Sequence, residues 1–139
     1  MFKYIIVVLI AGCGCLLNTG CNQNASTDDL VISYRRTGGM LNLDDHLRLY
    51  TNGQVELERK GQESTFMIDP NDVTDLTSTL DQIPFSSLRS ASTNQGADYI
   101  HYELRYQRHT VRIADPELPA ALIPVLEELD GLILNQGQP

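Results

Sequence analysis

Leu47 to Arg59 reads LRLYTNGQVELER, and only one pairing of its two halves makes a usable sheet face. Side chains alternate between the faces of a strand, so a one-residue slip moves every apolar residue to the wrong side. A two-residue Asn52-Gly53 loop pairs Tyr50 with Val55 and Leu49 with Glu56. Leu47 and Leu49 then face away from Val55 and Leu57. A three-residue loop, Thr51-Asn52-Gly53, pairs Leu49 with Val55 and Leu47 with Leu57, and sets Arg48 across from Glu56 on the other face. Such a loop wants a left-handed residue in third place, where Gly53 stands. The segment is therefore expected to be an antiparallel hairpin with a bulge at Gly53, half buried.

Other segments share this period of two. Leu30 to Arg36 (LVISYRR) is a predicted strand with Leu30, Ile32 and Tyr34 on one face. Thr37 to Leu43 is a glycine turn, and Asp44-Asp45 precede the next strand. Lys60 to Glu63 is a second turn, ahead of a short strand from Ser64 to Ile68 with Phe66 and Ile68 inward. Asp98 to Tyr106 alternates with Ile100, Tyr102, Leu104 and Tyr106 inward. A tight turn at Gln107-Arg108 returns the chain as His109 to Ala114, with Leu104 beside Val111 and Tyr102 beside Ile113.

Two segments carry helical spacing instead. Asp69 is a good N-cap and Pro70 a good first residue for a helix bearing Val73, Leu76, Leu80 and Ile83 on one side. Pro84 ends it, and Phe85 to Leu88 form a short turn beneath it. Arg89 to Ala97 is a polar loop. A last helix carries Leu122, Val125, Leu126, Leu129, Leu132 and Ile133. Its regular part starts near Leu122 or is kinked at Pro124, which has no N–H to give. The expected fold is α+β: a single antiparallel sheet of about five or six strands with two helices packed on one face, in the order β-β-β-β-α-β-β-α.

Met1 to Gly20 has another character. Lys3 is its only charge, and Tyr4 to Leu17 is a run of 14 apolar or small residues. A charged start, a short apolar middle and small residues at the end form the layout of an export signal. At about 1.5 Å per residue the run falls short of a ~30 Å hydrocarbon core. All three cysteines, Cys13, Cys15 and Cys21, lie in the first 21 residues. A signal ending at a cysteine resembles the bacterial lipoprotein pattern, in which that cysteine is acylated and becomes the mature N-terminus. Cys21 follows Gly20 at the usual signal length and is the favoured anchor. Cys13, after Ile10-Ala11-Gly12, matches better locally but leaves a very short signal, and Cys15 lies between. The chain then divides into a signal (1–20), a flexible polar tether (21–29, ending NQNASTDD) and a domain (30–135). Two or three acyl chains anchor stably, at ~0.8 kcal/mol per buried CH₂. Asn22 after Cys21, rather than aspartate, favours the outer membrane of a two-membrane cell under the sorting rule this resemblance implies.

Charge narrows the partners. The chain holds 10 basic and 18 acidic residues, and loss of Lys3 leaves nine against eighteen. A domain at −9 repels polyanions, so nucleic acid is not an expected partner. Membrane contact is expected through the acyl chains alone. A search for catalytic patterns finds no nucleophile elbow, no phosphate loop ending in lysine and no cysteine in the domain from residue 30 on. His46, His101 and His109 have no two-histidine helical spacing. The pairs Asp28-Asp29, Asp44-Asp45 and Glu127-Glu128 are sequence neighbours, whose side chains diverge. No enzyme, cofactor or metal is expected.

The stretch from Arg35 to Leu41 (RRTGGML) is left unexplained by periodicity. Adjacent glycines between strands mark unusual backbone angles or a close approach by another chain. Arg36, Gly38, Gly39, Met40 and Leu41 combine donors, bare backbone and apolar side chains, and are the candidate partner-binding residues; the alternative is that Gly38-Gly39 only turns the chain while Met40 and Leu41 plug the sheet edge.

Tyr34 to Met40, then Phe85-Ser86-Ser87-Leu88, Asp98 to Leu104, Thr110-Val111-Arg112, and Pro119 with Leu122 and Leu126 resemble the emfourin-like family. Its members are small bacterial proteins with an Arg-x-Gly-Gly-Phe opening, and the founding member inhibits thermolysin-like metallopeptidases. The similarity covers most of Leu30 to Leu134, with Met40 where an aromatic is usual. This resemblance implies a module that binds a protein, with a thermolysin-like peptidase as the target class, while the lipid anchor is implied by the lipoprotein pattern and is not a feature of the family. The alternative is an envelope lipoprotein with a structural or assembly role.

Overall fold

The computed structural model describes residues 29–88, 90 and 98–135. The expected signal, all three cysteines, most of the tether and most of the 89–97 loop lie outside the described residues. The elements are β1 (Leu30–Gly38), β2 (Leu43–Tyr50), β3 (Gln54–Arg59), β4 (Gln62–Met67), α1 (Pro70–Gln82), β5 (Ile100–Tyr106), β6 (His109–Ala114) and α2 (Ile123–Asn135). The six strands form one antiparallel sheet in the order β4-β3-β2-β1-β5-β6. This is the expected α+β architecture and element order.

The hairpin registers follow the apolar alternation. Leu49 pairs with Val55, Arg48 with Glu56 and Leu47 with Leu57, and Gly53 takes φ +84°. Leu104 pairs with Val111 and Tyr102 with Ile113 across Gln107-Arg108. Two boundaries differ from expectation. Lys60 and Gly61, at φ +49° and +78°, make a two-residue turn whose twist suits the flanking strands, so Gln62 and Glu63 already belong to β4. Likewise β1 continues through Gly38 and β2 begins at Leu43, which places Asp44 and Asp45 within paired strand.

Both helices cover the face that carries Ile32, Tyr34, Leu47, Leu49, Val55, Leu57, Leu104 and Val111. Asp69 caps α1, its carboxylate accepting from the Asn71 N–H at 2.9 Å, and Val73, Leu76 and Leu80 are buried beneath. Pro124 is the second residue of α2, where a missing N–H costs nothing, and Leu126 N–H reaches Leu122 O at 3.0 Å. The tyrosines tie the layers together. Tyr34 Oη donates to Asp130 on α2 at 2.7 Å, and Tyr106 Oη donates to Asp81 on α1 at 2.7 Å. Among the described residues no helix is long and apolar enough to cross a membrane.

The opposite sheet face is polar. Glu58, His46, Arg35, Glu103 and Arg112 stand in one row across β3, β2, β1, β5 and β6. His46 Nε2 lies 2.9 Å from Ser33 Oγ. Burial lowers its pKa, and the Arg48 and Arg35 charges act in the same direction. Between this lowered value and the ordinary one near 6.5, the unfolded chain holds more protons than the folded one. Stability is therefore expected to fall as pH drops below about 6.5. Thermal melts at pH 7.5 and pH 5 should show the fall, and His46→Gln should make it smaller. An unchanged difference in that variant would assign the fall to other groups.

Candidate functional site

The turn between β1 and β2 is fixed from behind. Gly38 and Gly39 have φ of +85° and +68°, in the left-handed region that other residues enter at a cost. The Gly39 N–H donates to Tyr99 O at 3.0 Å, and the Asn42 N–H closes the turn onto Gly39 O at 3.0 Å. A Cβ on Gly38 would stand 2.8 Å from Tyr99 O, and one on Gly39 would stand 2.9 Å from Ile100 Cγ1. The sequence allowed either unusual backbone angles or a close approach by another chain, and the first of these is what the glycine pair shows. The close approach is made by this chain's own strand entering β5.

Met40 and Leu41 sit at the tip, 88% and 76% exposed. On the side facing β3, Lys60 N–H donates to Asp44 O at 2.8 Å, and Lys60 Nζ reaches Leu41 O at 3.5 Å. The turn is therefore braced by β5 on one flank and by the β3–β4 turn on the other. Its two largest side chains are left to solvent.

Arg36 is a correction to the expected site. It was placed among the exposed donors of the turn, yet only 6% of it is accessible. Alternation carries it onto the inner face after Ile32 and Tyr34. There Arg36 Nε donates to Asp45 Oδ2 at 2.7 Å, and Arg36 Nη1 lies 3.0 Å from Asp130 Oδ1. The same Asp130 oxygen accepts from Tyr34, whose ring stacks on Tyr102 at 6.3 Å between centroids. Burial opposes the Arg36 charge, but the Asp45 hydrogen bond and the charges of Asp130 and Asp45 outweigh it, so the guanidinium is held more firmly protonated than usual. Tyr34 is pushed far up, by burial first and then by the Asp130 carboxylate, and stays a neutral donor. Arg36 thus ties the end of β1 to β2 and α2, behind the turn rather than on it.

The sequence singles out Asp45 only as half of the Asp44-Asp45 pair and does not point to Asp45 or Asp130 as a partner of Arg36. The available signal for Asp45 was the parity of β2, since Leu49, Leu47 and Asp45 share a face. Arg35 and Asp44, on the outer face, pair with each other at 2.9 Å in solvent. The Asp44-Asp45 carboxylates therefore point to opposite faces, as neighbours on a strand must.

Two hollows border the turn. A shallow one of about 230 Å³ on the outer face is lined by Arg35, Thr37, His101, Glu103 and Arg112. A larger groove of about 480 Å³ is lined by Leu41, Leu43, Asp45, Arg59, Lys60 and Gln62. His101 pairs with Ala114 in the sheet and His109 with Tyr106, as expected from the register. Among the described residues, no group of three or more histidines, cysteines or carboxylates is placed to hold a metal ion. Cys21 lies outside the described residues. Comparisons of the chain with protein-family models, with curated proteins and with solved structures return no match.

Proposed function

We propose that this chain is a non-enzymatic binding module of the bacterial cell envelope, anchored through acyl chains on Cys21, that presents the Gly39–Asn42 turn to a protein partner. The observation that carries the reading is the pair Met40 and Leu41, exposed side by side on a turn whose backbone is clamped from both flanks. Single exposed apolar residues are ordinary, but two together on a pre-ordered tip form an anchor for an apolar pocket. A pre-ordered tip also loses little conformational entropy on binding.

The direction of the chain supports the same reading. The tether enters at Leu30, and β1 runs without interruption of pairing from Ile32 to Gly38 before the turn. At ~3.3 Å per residue, the turn stands roughly 25–30 Å from the entry point. A domain tethered at Leu30 can therefore hold its binding edge away from the lipid surface. The resemblance to the emfourin-like family supports a thermolysin-like metallopeptidase as the partner class.

The test is binding and inhibition by the full chain in detergent, against a panel of such peptidases and in pull-downs from envelope extract. Met40→Asp and Leu41→Asp are expected to melt like the wild type. Each should weaken binding about 30-fold or more, the effect of losing an anchor worth ~2 kcal/mol. Cys21→Ala should move the protein from the membrane to the soluble fraction. Capture of a partner that is not a peptidase, still sensitive to Met40→Asp, would favour the assembly role. Full retention of binding by both aspartate variants would remove the turn as the docking site.

A further inference from the structure

We infer that the groove beside the turn is a subsite for an acidic side chain of the docking partner, with an apolar neighbour of that residue lying on Leu41 and Leu43. The inference rests on the reading of the turn as a docking edge and names the chemistry that the edge would select. The groove is the uncovered corner of the inner sheet face, where β2, β3 and β4 meet the turn. Its volume of about 480 Å³ lies within the range of ligand sites.

Its charge is the reverse of the protein's. The whole chain carries a net −8, yet the groove is lined by Arg59 and Lys60 against Asp45. The Asp45 carboxylate is already committed to Arg36, at 2.7 Å. Arg59 touches Asp45 only through Nε, at 3.4 Å, which is an ion-pair distance without a hydrogen bond. Lys60 Nζ makes one long bond of 3.5 Å, to Leu41 O. Both cations can therefore turn to an incoming carboxylate without leaving a buried charge unpaired.

Asp45 adds a second feature. Its Oδ1 is buried without a hydrogen-bond partner, in a residue only 1% exposed that lines the groove. An unsatisfied buried acceptor is costly, and Arg59, 3.4 Å away, would uncover it to a backbone N–H of the docked segment by turning to the incoming carboxylate. A carboxylate for Arg59 and Lys60, an N–H for Asp45 and an apolar side chain for Leu41 and Leu43 together describe a short peptide segment with an acidic residue beside an apolar one.

The probe is the fluorescein-labelled peptide Ala-Leu-Glu-Ala with blocked ends, titrated onto the full chain in detergent and followed by anisotropy. The Gln and Lys versions of the peptide serve as comparisons. The Glu peptide is expected to bind about tenfold more tightly than the Gln peptide, as for a charge-assisted hydrogen bond of ~1.5 kcal/mol, and to lose that advantage at high salt. Lys60→Gln should remove most of the preference, and its exposed position leaves the fold unaffected. Arg59→Gln should do the same, and if it lowers the melting temperature Lys60→Gln decides. Equal binding of Glu and Gln peptides, no binding of either, or indifference to Lys60→Gln would overturn the inference. Failure here with the Met40→Asp effect intact removes the subsite and leaves the turn. Loss of the Met40→Asp effect removes the turn itself.

Discussion

Arg36→Met is expected to cost about 3–5 kcal/mol of stability, the loss seen when one partner of a buried ion pair is removed. In a domain of roughly 100 residues each kcal/mol shifts the melting temperature by about 4–8 °C, so the transition should fall by roughly 12–40 °C. The cost comes from what stays behind. Asp45 keeps its charge in a site 1% accessible, with only Arg59 at 3.4 Å to balance it. Asp130 suffers less, because 28% of its side chain is in solvent and Tyr34 Oη still donates to it. The double variant Arg36→Met with Asp45→Leu removes both charges and fills the space, so most of the loss should return. Arg35→Met is the control. Arg35 and Asp44 form their ion pair with more than half of each side chain exposed, and such pairs contribute about 0–1 kcal/mol. Urea melts of the four proteins check the order. A loss below 1 kcal/mol for Arg36→Met would show that water reaches Asp45 and that the network does not brace the turn.

This pair of arginines also shows how far local pattern reaches. The registers of both hairpins, the N-cap at Asp69 and the late start of α2 at Ile123 were legible because each depends on neighbours in sequence. Apolar alternation and the steric demands of Gly53, Pro70 and Pro124 leave few ways to arrange those stretches. Arg36 was not legible in the same way. An arginine beside another arginine, next to a glycine turn, suggests a surface donor. Its inward position depends on Asp45 across the sheet and on Asp130 from the last helix. A buried charge is tolerable only when such partners converge, and the partners are distant in sequence. Alternation carried two residues further, from Ile32 and Tyr34 to Arg36, would have given its facing. It would not have given the reason the facing is stable. For the tip the sequence left two readings, an apolar plug on the sheet edge or an exposed docking pair, and the structure gives the exposure. Met40 and Leu41 fit no period of the chain, and the fold leaves them outside.

The second large effect is expected at Gly53, and it separates stability from binding. Gly53 and Gly61 both adopt left-handed angles, φ +84° and +78°, so alanine at either is strained by about 1–2 kcal/mol. They differ in surroundings. A Cβ on Gly61 meets nothing within 4 Å, whereas one on Gly53 would collide with Ile68 O and stand 3.5 Å from Pro70 N. Those atoms are backbone and cannot turn aside. Gly53 also donates to Tyr50 O at 3.0 Å and accepts from Ile68 N–H at 2.9 Å, so the β2–β3 hairpin is fastened to the chain that leads into α1. Making room means shifting Ile68 and, with it, the Asp69 cap. Gly53→Ala should therefore lose about 3 kcal/mol or more, strain and overpacking together, while Gly61→Ala loses about 1. Equal losses would mean that the hairpin can move away from Ile68 freely. The position of Gly53 makes the variant useful beyond stability. It lies at the opposite end of β2 from the Gly39–Asn42 turn, with Leu43 to Tyr50 between them. At a temperature where Gly53→Ala is still folded, it should bind a partner as the wild type does. Met40→Asp should melt as the wild type does and fail to bind. A protein that used the hairpin end for docking would show the reverse pairing of effects.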